Sequence, residues 1–234
     1  MRALGILGGM GPLATVDFMA KVIEATPAER DQDHIPLLVH AVPQVPDRAA
    51  AILNGTDEPL EWLVRGAGML RLSGAGAIAI PCNTAHYWHD QLAASIDIPV
   101  LHIVDAAADA LRAQGIMEGR LGLMGTVGTV AAGIYQKRFE KLGYDCLAPD
   151  EAAQDKYVTG GINEIKAGRL DAGRDLLETV AKELAERECR AIVLGCTEIP
   201  IVLTKDMSPG GGIGYLDATD ALARASVDWY FSGR

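Results

Sequence analysis

Two cysteines stand in matching settings along this chain. Cys82 lies in Pro81-Cys82-Asn83-Thr84-Ala85-His86, and Cys196 lies in Gly195-Cys196-Thr197-Glu198-Ile199-Pro200. Each follows a short apolar run, Ala77-Ile78-Ala79-Ile80 before the first and Ala191-Ile192-Val193-Leu194 before the second. Runs of that length, bounded by small or helix-breaking residues, read as buried parallel strands. Each cysteine therefore falls at the carboxyl end of a strand, the edge at which open α/β sheets bind ligands. Each also precedes an Asn or Thr suited to capping a helix. The positive end of a helix lowers a thiol pKa toward thiolate, so both thiols are expected to be activated and to face one another in one site. Cys146, in a strand-like stretch, and Cys189, at a charged helix end, lack this setting and read as structural, like most strand-end cysteines.

Other residues carry weaker signals. Arg48 follows Pro46-Asp47 in a polar loop after the second strand. A guanidinium at the ligand edge is the group best shaped to grip a carboxylate in bidentate fashion, although an exposed arginine is more often solvated surface. Lys166, in Gly161-Ile162-Asn163-Glu164-Ile165-Lys166-Ala167-Gly168, reads by itself as a plain helix-surface lysine. His86 and His89 follow Cys82 on one predicted helix, but no second cluster completes a metal site, so capping or core histidines are the better reading. Gly9-Met10-Gly11-Pro12-Leu13-Ala14 fits dinucleotide spacing after a strand, with Asp31 or Asp33 about twenty residues on. Many strand-turn-helix units satisfy that pattern, and Pro12 removes a backbone donor that a pyrophosphate would use.

These residues need elements to position them. Strands are expected over 3–7, 36–41, 77–80, 100–103, 120–124, 144–147 and 191–194. Helical periodicity covers 13–25, with Thr26-Pro27 closing it, and also 60–72, 105–114, a stretch through Tyr135 and Phe139, 170–187 and 218–230. Gly5 to Cys82 and Gly122 to Cys196 span similar lengths of about seventy-five residues, the self-similarity of a duplicated unit. The expected fold is α/β, with two similar pseudo-symmetric doubly wound domains, parallel central sheets and a cleft between them. Residues 1–102 with 211–234 would form the domain carrying Cys82, and 103–210 the domain carrying Cys196.

Composition sets limits. The 234 residues suffice for one large domain or two modest ones. They are 49% hydrophobic with only 5% aromatics, as in tightly packed α/β enzymes. A formal net charge of −10 argues against nucleic-acid or anionic-membrane partners. The start runs directly into a Gly-rich turn rather than a signal segment, and no apolar run reaches the roughly 18 residues that span a bilayer. A cytoplasmic protein with free thiols is expected.

Together, Leu7-Gly8-Gly9-Met10-Gly11-Pro12-Leu13-Ala14-Thr15, Pro46-Asp47-Arg48, the two cysteine motifs and Gly125-Thr126-Val127-Gly128-Thr129 resemble the cofactor-independent aspartate/glutamate racemase family over essentially the whole chain, the aspartate racemase branch above all. The resemblance implies a substrate held between two domains, no cofactor or metal, and commonly a homodimer. It implies that Cys82 and Cys196 are the paired acid and base, with Arg48 and Lys166 holding the side-chain carboxylate of an acidic amino acid, aspartate above all. Asn83, Thr84, Thr126 and Thr197 match positions around the α-carboxylate, and Met10 is a further candidate contact. Glu198 and Asp47 are candidates for setting thiol protonation. The chain departs from the family at Gly214-Tyr215-Leu216-Asp217-Ala218-Thr219, where an Asp-Pro-Thr type segment is usual. Three other classes fit less well: a superfamily lyase or isomerase using one cysteine on a dicarboxylate, a solute-binding protein with no need of matched thiols, and a dinucleotide enzyme. A glutamate or broad-specificity racemase also remains open, because one methylene changes discrimination by only about 1–3 kcal/mol.

Overall fold

The computed structural model describes residues 2–233. The chain folds as two compact units. The first extends to Ala106 and takes up again at Thr219, and the second is Ala107–Ala218. The sequence-based limits lie four residues earlier at the first crossing, at 102, and eight earlier at the second, at 211.

In the first unit, β1 (Ala3–Gly8) leads into α1 (Pro12–Ala25), followed by β2 (Leu37–Ala41), α2 (Arg48–Asn54), α3 (Glu58–Leu72) and β3 (Ala75–Ala79). The sheet is parallel, in the order β2-β1-β3. Its central strand is buried at every residue, because helices cover both faces of a parallel sheet. On α3, Leu63, Ala67 and Leu70 recur at i, i+4 and i+7, all buried, in one core with Leu7, Ile78, Ile80 and Trp88. After β3 come a 3-10 turn, Thr84–Trp88, then α4 (His89–Ala94) and α5 (Ile103–Ala113). The strand expected over 100–103 is reduced to one bridge, Ile78 to Val100. Helix α5 already begins at Ile103, so the extended segment ends after its bonds to Ile78.

The chain enters the second unit within α5. There follow β4 (Gly119–Gly125), α6 (Val127–Ala131), α7 (Ile134–Glu140), β5 (Tyr144–Leu147), α8 (Glu151–Ala153), a π-helical turn over Gln154–Thr159, and α9 (Gly160–Lys166). The helix expected through Tyr135 is broken at Gly133, which sits at φ +67°. Then come α10 (Leu170–Glu186), β6 (Ala191–Gly195), a 3-10 turn over Ile199–Ile201, and β7 (Tyr215–Asp217). The second sheet is also parallel, in the order β5-β4-β6-β7. The first three strands of each unit thus take the same order, with the first strand central and a cysteine after the third. Strand β7 is absent from the sequence-based expectation; it pairs Leu216 with Val193 and keeps residues up to Ala218 in the second unit. Helix α11 (Ala218–Ser232) then closes the first unit, where the Arg2 guanidinium lies 3.8 Å from the Trp229 ring centroid.

Helices α9 and α10 meet at glycines. A Cβ at Gly173 would come 3.0 Å from the Gly161 carbonyl oxygen and 2.6 Å from Ile165 Cγ1. This close approach sets the position of α9, which ends in Lys166. Among the described residues no helix is long and apolar enough to cross a membrane.

The second unit holds several acids that burial keeps protonated. Burial, then the Asp145 charge, pushes the Cys146 thiol from 9.0 to about 12. Burial and then Glu178 push Tyr215 from 10.0 to about 12. The unfolded chain surrenders these protons at lower pH than the folded one. Stability is therefore full below the unfolded values and lost as pH rises toward the folded ones. The melting temperature should fall as pH climbs from 9.0 toward about 12, and Cys146→Ala should make the early part of that fall shallower. Melting curves followed by circular dichroism across that range check this; equal slopes in wild type and variant would contradict it.

Candidate active site

Cys82 is buried and follows β3 by three residues, its N–H bonded to the Ile80 carbonyl at 2.7 Å. The segment after it is a 3-10 turn of five residues rather than an α-helix, and Asn83 makes no side-chain capping bond at its start. A helix this short carries little of the dipole invoked for the thiol. Asn83 and Thr84 are both buried beside Cys82. His86 donates from Nδ1 to the Cys82 carbonyl at 2.9 Å and accepts the Ile103 N–H at Nε2, 3.2 Å. His89 donates from Nε2 to the Val100 carbonyl at 2.9 Å. The histidines thus tie the cysteine loop to the segment leading into α5. Among the described residues no three His, Cys, Asp or Glu side chains are arranged to hold a metal ion.

The Gly-rich turn is shaped for close contact between loops. Gly9 has φ +92°, and a Cβ there would lie 2.3 Å from the Val42 nitrogen. Its N–H is taken by Thr15 Oγ1 at 2.8 Å. With Pro12 lacking a donor and Gly9 occupied, two of the backbone donors a dinucleotide would use are gone. Met10 is buried in the first unit's core.

Arg48 opens α2 rather than lying in a loop. Asp47 is the cap of that helix, its Oδ1 accepting the Ala50 N–H at 2.7 Å. That bond gives Asp47 a structural task at the start of α2. The Arg48 guanidinium donates from one terminal nitrogen to the Val45 and Pro46 carbonyls, at 3.1 and 3.2 Å. Its Nε is buried without a partner among the described residues.

In the second unit, Cys196 follows β6 directly and belongs to the core with Leu194, Ile199 and Ile165. Its thiol donates to Glu198 Oε2 at 3.0 Å, and Thr197 Oγ1 donates to the same oxygen at 3.3 Å. Burial, then the Glu198 charge and its hydrogen bond, push this thiol well above its usual range, while the Lys166 charge acts in the opposite sense. These causes act against the lowering expected from a helix N-terminus. The following 3-10 turn has only three residues, and desolvation with a neighbouring carboxylate outweighs any dipole.

Thr126 caps α6, with Oγ1 accepting the Thr129 N–H at 3.2 Å and sharing a hydrogen bond with Thr129 Oγ1 at 3.0 Å. Lys166 is exposed at the end of α9. Sequence reasoning missed Gln154, buried at the start of the π-helical turn, whose Nε2 donates to the Gly125 carbonyl at 2.9 Å. The only local sequence signal is Asp150, which caps α8 by accepting the Ala153 N–H.

A family model described as Asp/Glu/Hydantoin racemase matches residues 7–226. The broad specificity amino-acid racemase RacX of Bacillus subtilis (strain 168) is 28% identical over 234 residues, 98% of either chain. The solved structure of Picrophilus torridus aspartate racemase superposes with a TM-score of 0.84 at 30% identity, covering 98% of this chain and 94% of that one. Glutamate racemase of Aquifex pyrophilus is 26% identical over 173 residues, 73% of this chain and 65% of that protein. With cysteines after matching strands of two like-ordered parallel sheets, and a family match over nearly the whole length, the chain belongs to the Asp/Glu/hydantoin racemase family of isomerases.

Proposed function

We propose that the protein racemises an acidic amino acid, aspartate first, by two-base proton transfer between Cys82 and Cys196 without cofactor or metal. The observation that carries this reading is the Cys196 thiol, held protonated against Glu198 at 3.0 Å. Racemisation needs an acid on one face of Cα and a base on the other. Two-base transfer asks for one sulfur at a near-attack distance of roughly 3–3.5 Å on each face of Cα. Cys196 serves as acid in one direction. The thiolate this leaves is the base of the other direction, in which Cys82 donates. Charge developing on the carboxylate is received by backbone N–H groups and by Asn83, Thr84, Thr126 and Thr197. Arg48 and Lys166 hold the side-chain carboxylate, with Met10 against the substrate. The working form is a cytoplasmic homodimer. A broad-specificity racemase is the second reading, favoured by the likeness to RacX and by the Arg48 bonds to its own loop.

Three outcomes test this. Cys82→Ser and Cys196→Ser should each abolish racemisation followed by polarimetry, while Cys146→Ala and Cys189→Ala keep it; near-normal turnover in either of the first two refutes the two-base scheme. Arg48→Ala and Lys166→Ala should each lower kcat/KM for aspartate roughly ten- to a hundredfold and leave residual alanine turnover alone. Equal losses on both substrates would remove these residues from side-chain recognition, and a wild type preferring a neutral amino acid would favour the second reading. Finally, Glu198→Gln removes a negative charge beside Cys196, so its thiol should titrate at lower pH. Iodoacetamide labelling of Cys196, read by mass spectrometry against pH, should shift down in the variant; an unmoved profile means that Glu198 does not govern the thiol.

A further inference from the structure

Gln154 is 6% exposed, and its side-chain carbonyl oxygen is buried with no partner among the described residues. A buried acceptor is normally hydrogen-bonded, so an open one calls for an occupant. The rest of the residue is firmly held. Its backbone N–H bonds the Asp150 carbonyl at 2.8 Å, and its Nε2 bonds the Gly125 carbonyl at 2.9 Å.

That second bond places the amide at the catalytic edge of the second unit. Gly125 ends β4, pairs in register with Gly195 of β6, and is followed by Thr126. A Cβ on Gly125 would lie 3.1 Å from the Gly195 oxygen, which shows how close the two strand ends run. Cys196 is the next residue. Gln154 also opens the π-helical turn that separates α8 from α9, and such turns occur frequently at functional sites.

The chemistry of an amino-acid substrate supplies the occupant. Arg48, Lys166, Asn83 and the threonines offer N–H and O–H donors suited to two carboxylates. An α-ammonium group brings N–H donors of its own and needs acceptors. We propose that the Gln154 carbonyl oxygen accepts a hydrogen bond from the substrate α-ammonium group beside Cys196. This inference rests on the amino-acid racemase reading and adds to it the contact to the ammonium. A neutral acceptor has a further merit. It orients the ammonium without cancelling its positive charge, which acidifies the adjacent Cα–H and stabilises the carbanion; a carboxylate in its place would weaken that effect.

The test compares an amino acid with its deaminated acid. Wild type, Gln154→Met and Gln154→Glu are assayed for aspartate racemisation and for competitive inhibition by succinate, which keeps both carboxylates and lacks the ammonium. Gln154→Met should raise KM for aspartate about tenfold or more while the succinate inhibition constant stays within about twofold. Gln154→Glu should keep the aspartate KM and lower kcat. Equal weakening of aspartate and succinate in Gln154→Met, or an unchanged aspartate KM, overturns the inference and leaves the racemase reading intact. Should Gln154→Met fail to fold, Gln154→Glu decides: a raised aspartate KM with normal kcat overturns it. If wild type turns over only a neutral amino acid, the same comparison is made with that amino acid and its deaminated acid. If it racemises none, the functional reading falls and this inference falls with it.

Discussion

A strand covered on both faces has no room for polar side chains, and this constraint organises both units. β1 and β6 are buried at every residue, and β4 from Leu121 onward. Polar chemistry is therefore displaced to the segments beyond the strand ends, which in a parallel sheet all emerge on one edge. Gly9, Cys82, Thr126 and Cys196 stand just past the ends of β1, β3, β4 and β6. Their arrangement within each unit follows from the pairing registers, not from any attraction among the polar groups themselves.

At that edge, the second unit pairs a buried thiol with a carboxylate. Burial alone favours the neutral thiol, and a negative oxygen 3.0 Å away favours it further. A raised pKa is costly for a nucleophile working as a free thiolate, because little of it is ionised at neutral pH. It suits proton transfer at carbon. The Cα–H bond is a very weak acid, and a thiolate with a higher conjugate pKa is a stronger base toward it. In the proposed reaction the same group, protonated, is the donor of the return step, although the raised pKa makes it the weaker acid.

How much of this was readable in the residues depends on how the information is carried. Strands such as β4 and β6 are legible because continuous burial forces continuous apolar runs, and the duplication is legible because the runs recur at the same spacing. Strand β7 is three residues long and ends in Asp217, so it leaves no run to read. The stretch from Glu151 to Lys166 carries polar residues through a π-helical turn, which breaks the 3.6-residue periodicity. Glu198, two residues beyond the thiol, could be named from sequence. The direction of its effect could not, because the dipole argument assumes a full α-helix where the chain makes a 3-10 turn. Gln154 is invisible in sequence for a related reason: its significance lies in one hydrogen bond to the end of a strand 29 residues away.

The two cysteine loops show how one duplicated frame yields unequal environments. Both thiols follow the third strand of a like-ordered sheet, yet the residues after them diverge. In the first unit the loop carries His86, which turns its ring nitrogens to the Cys82 carbonyl and the Ile103 N–H and so serves the backbone. In the second it carries Glu198, which turns its carboxylate to the thiol itself. The proposed two-base reaction asks that one sulfur hold a proton while the other does not. In the proposed reaction the carboxylate beside Cys196 favours the proton on that sulfur, and the direction that starts from its thiolate works against this preference.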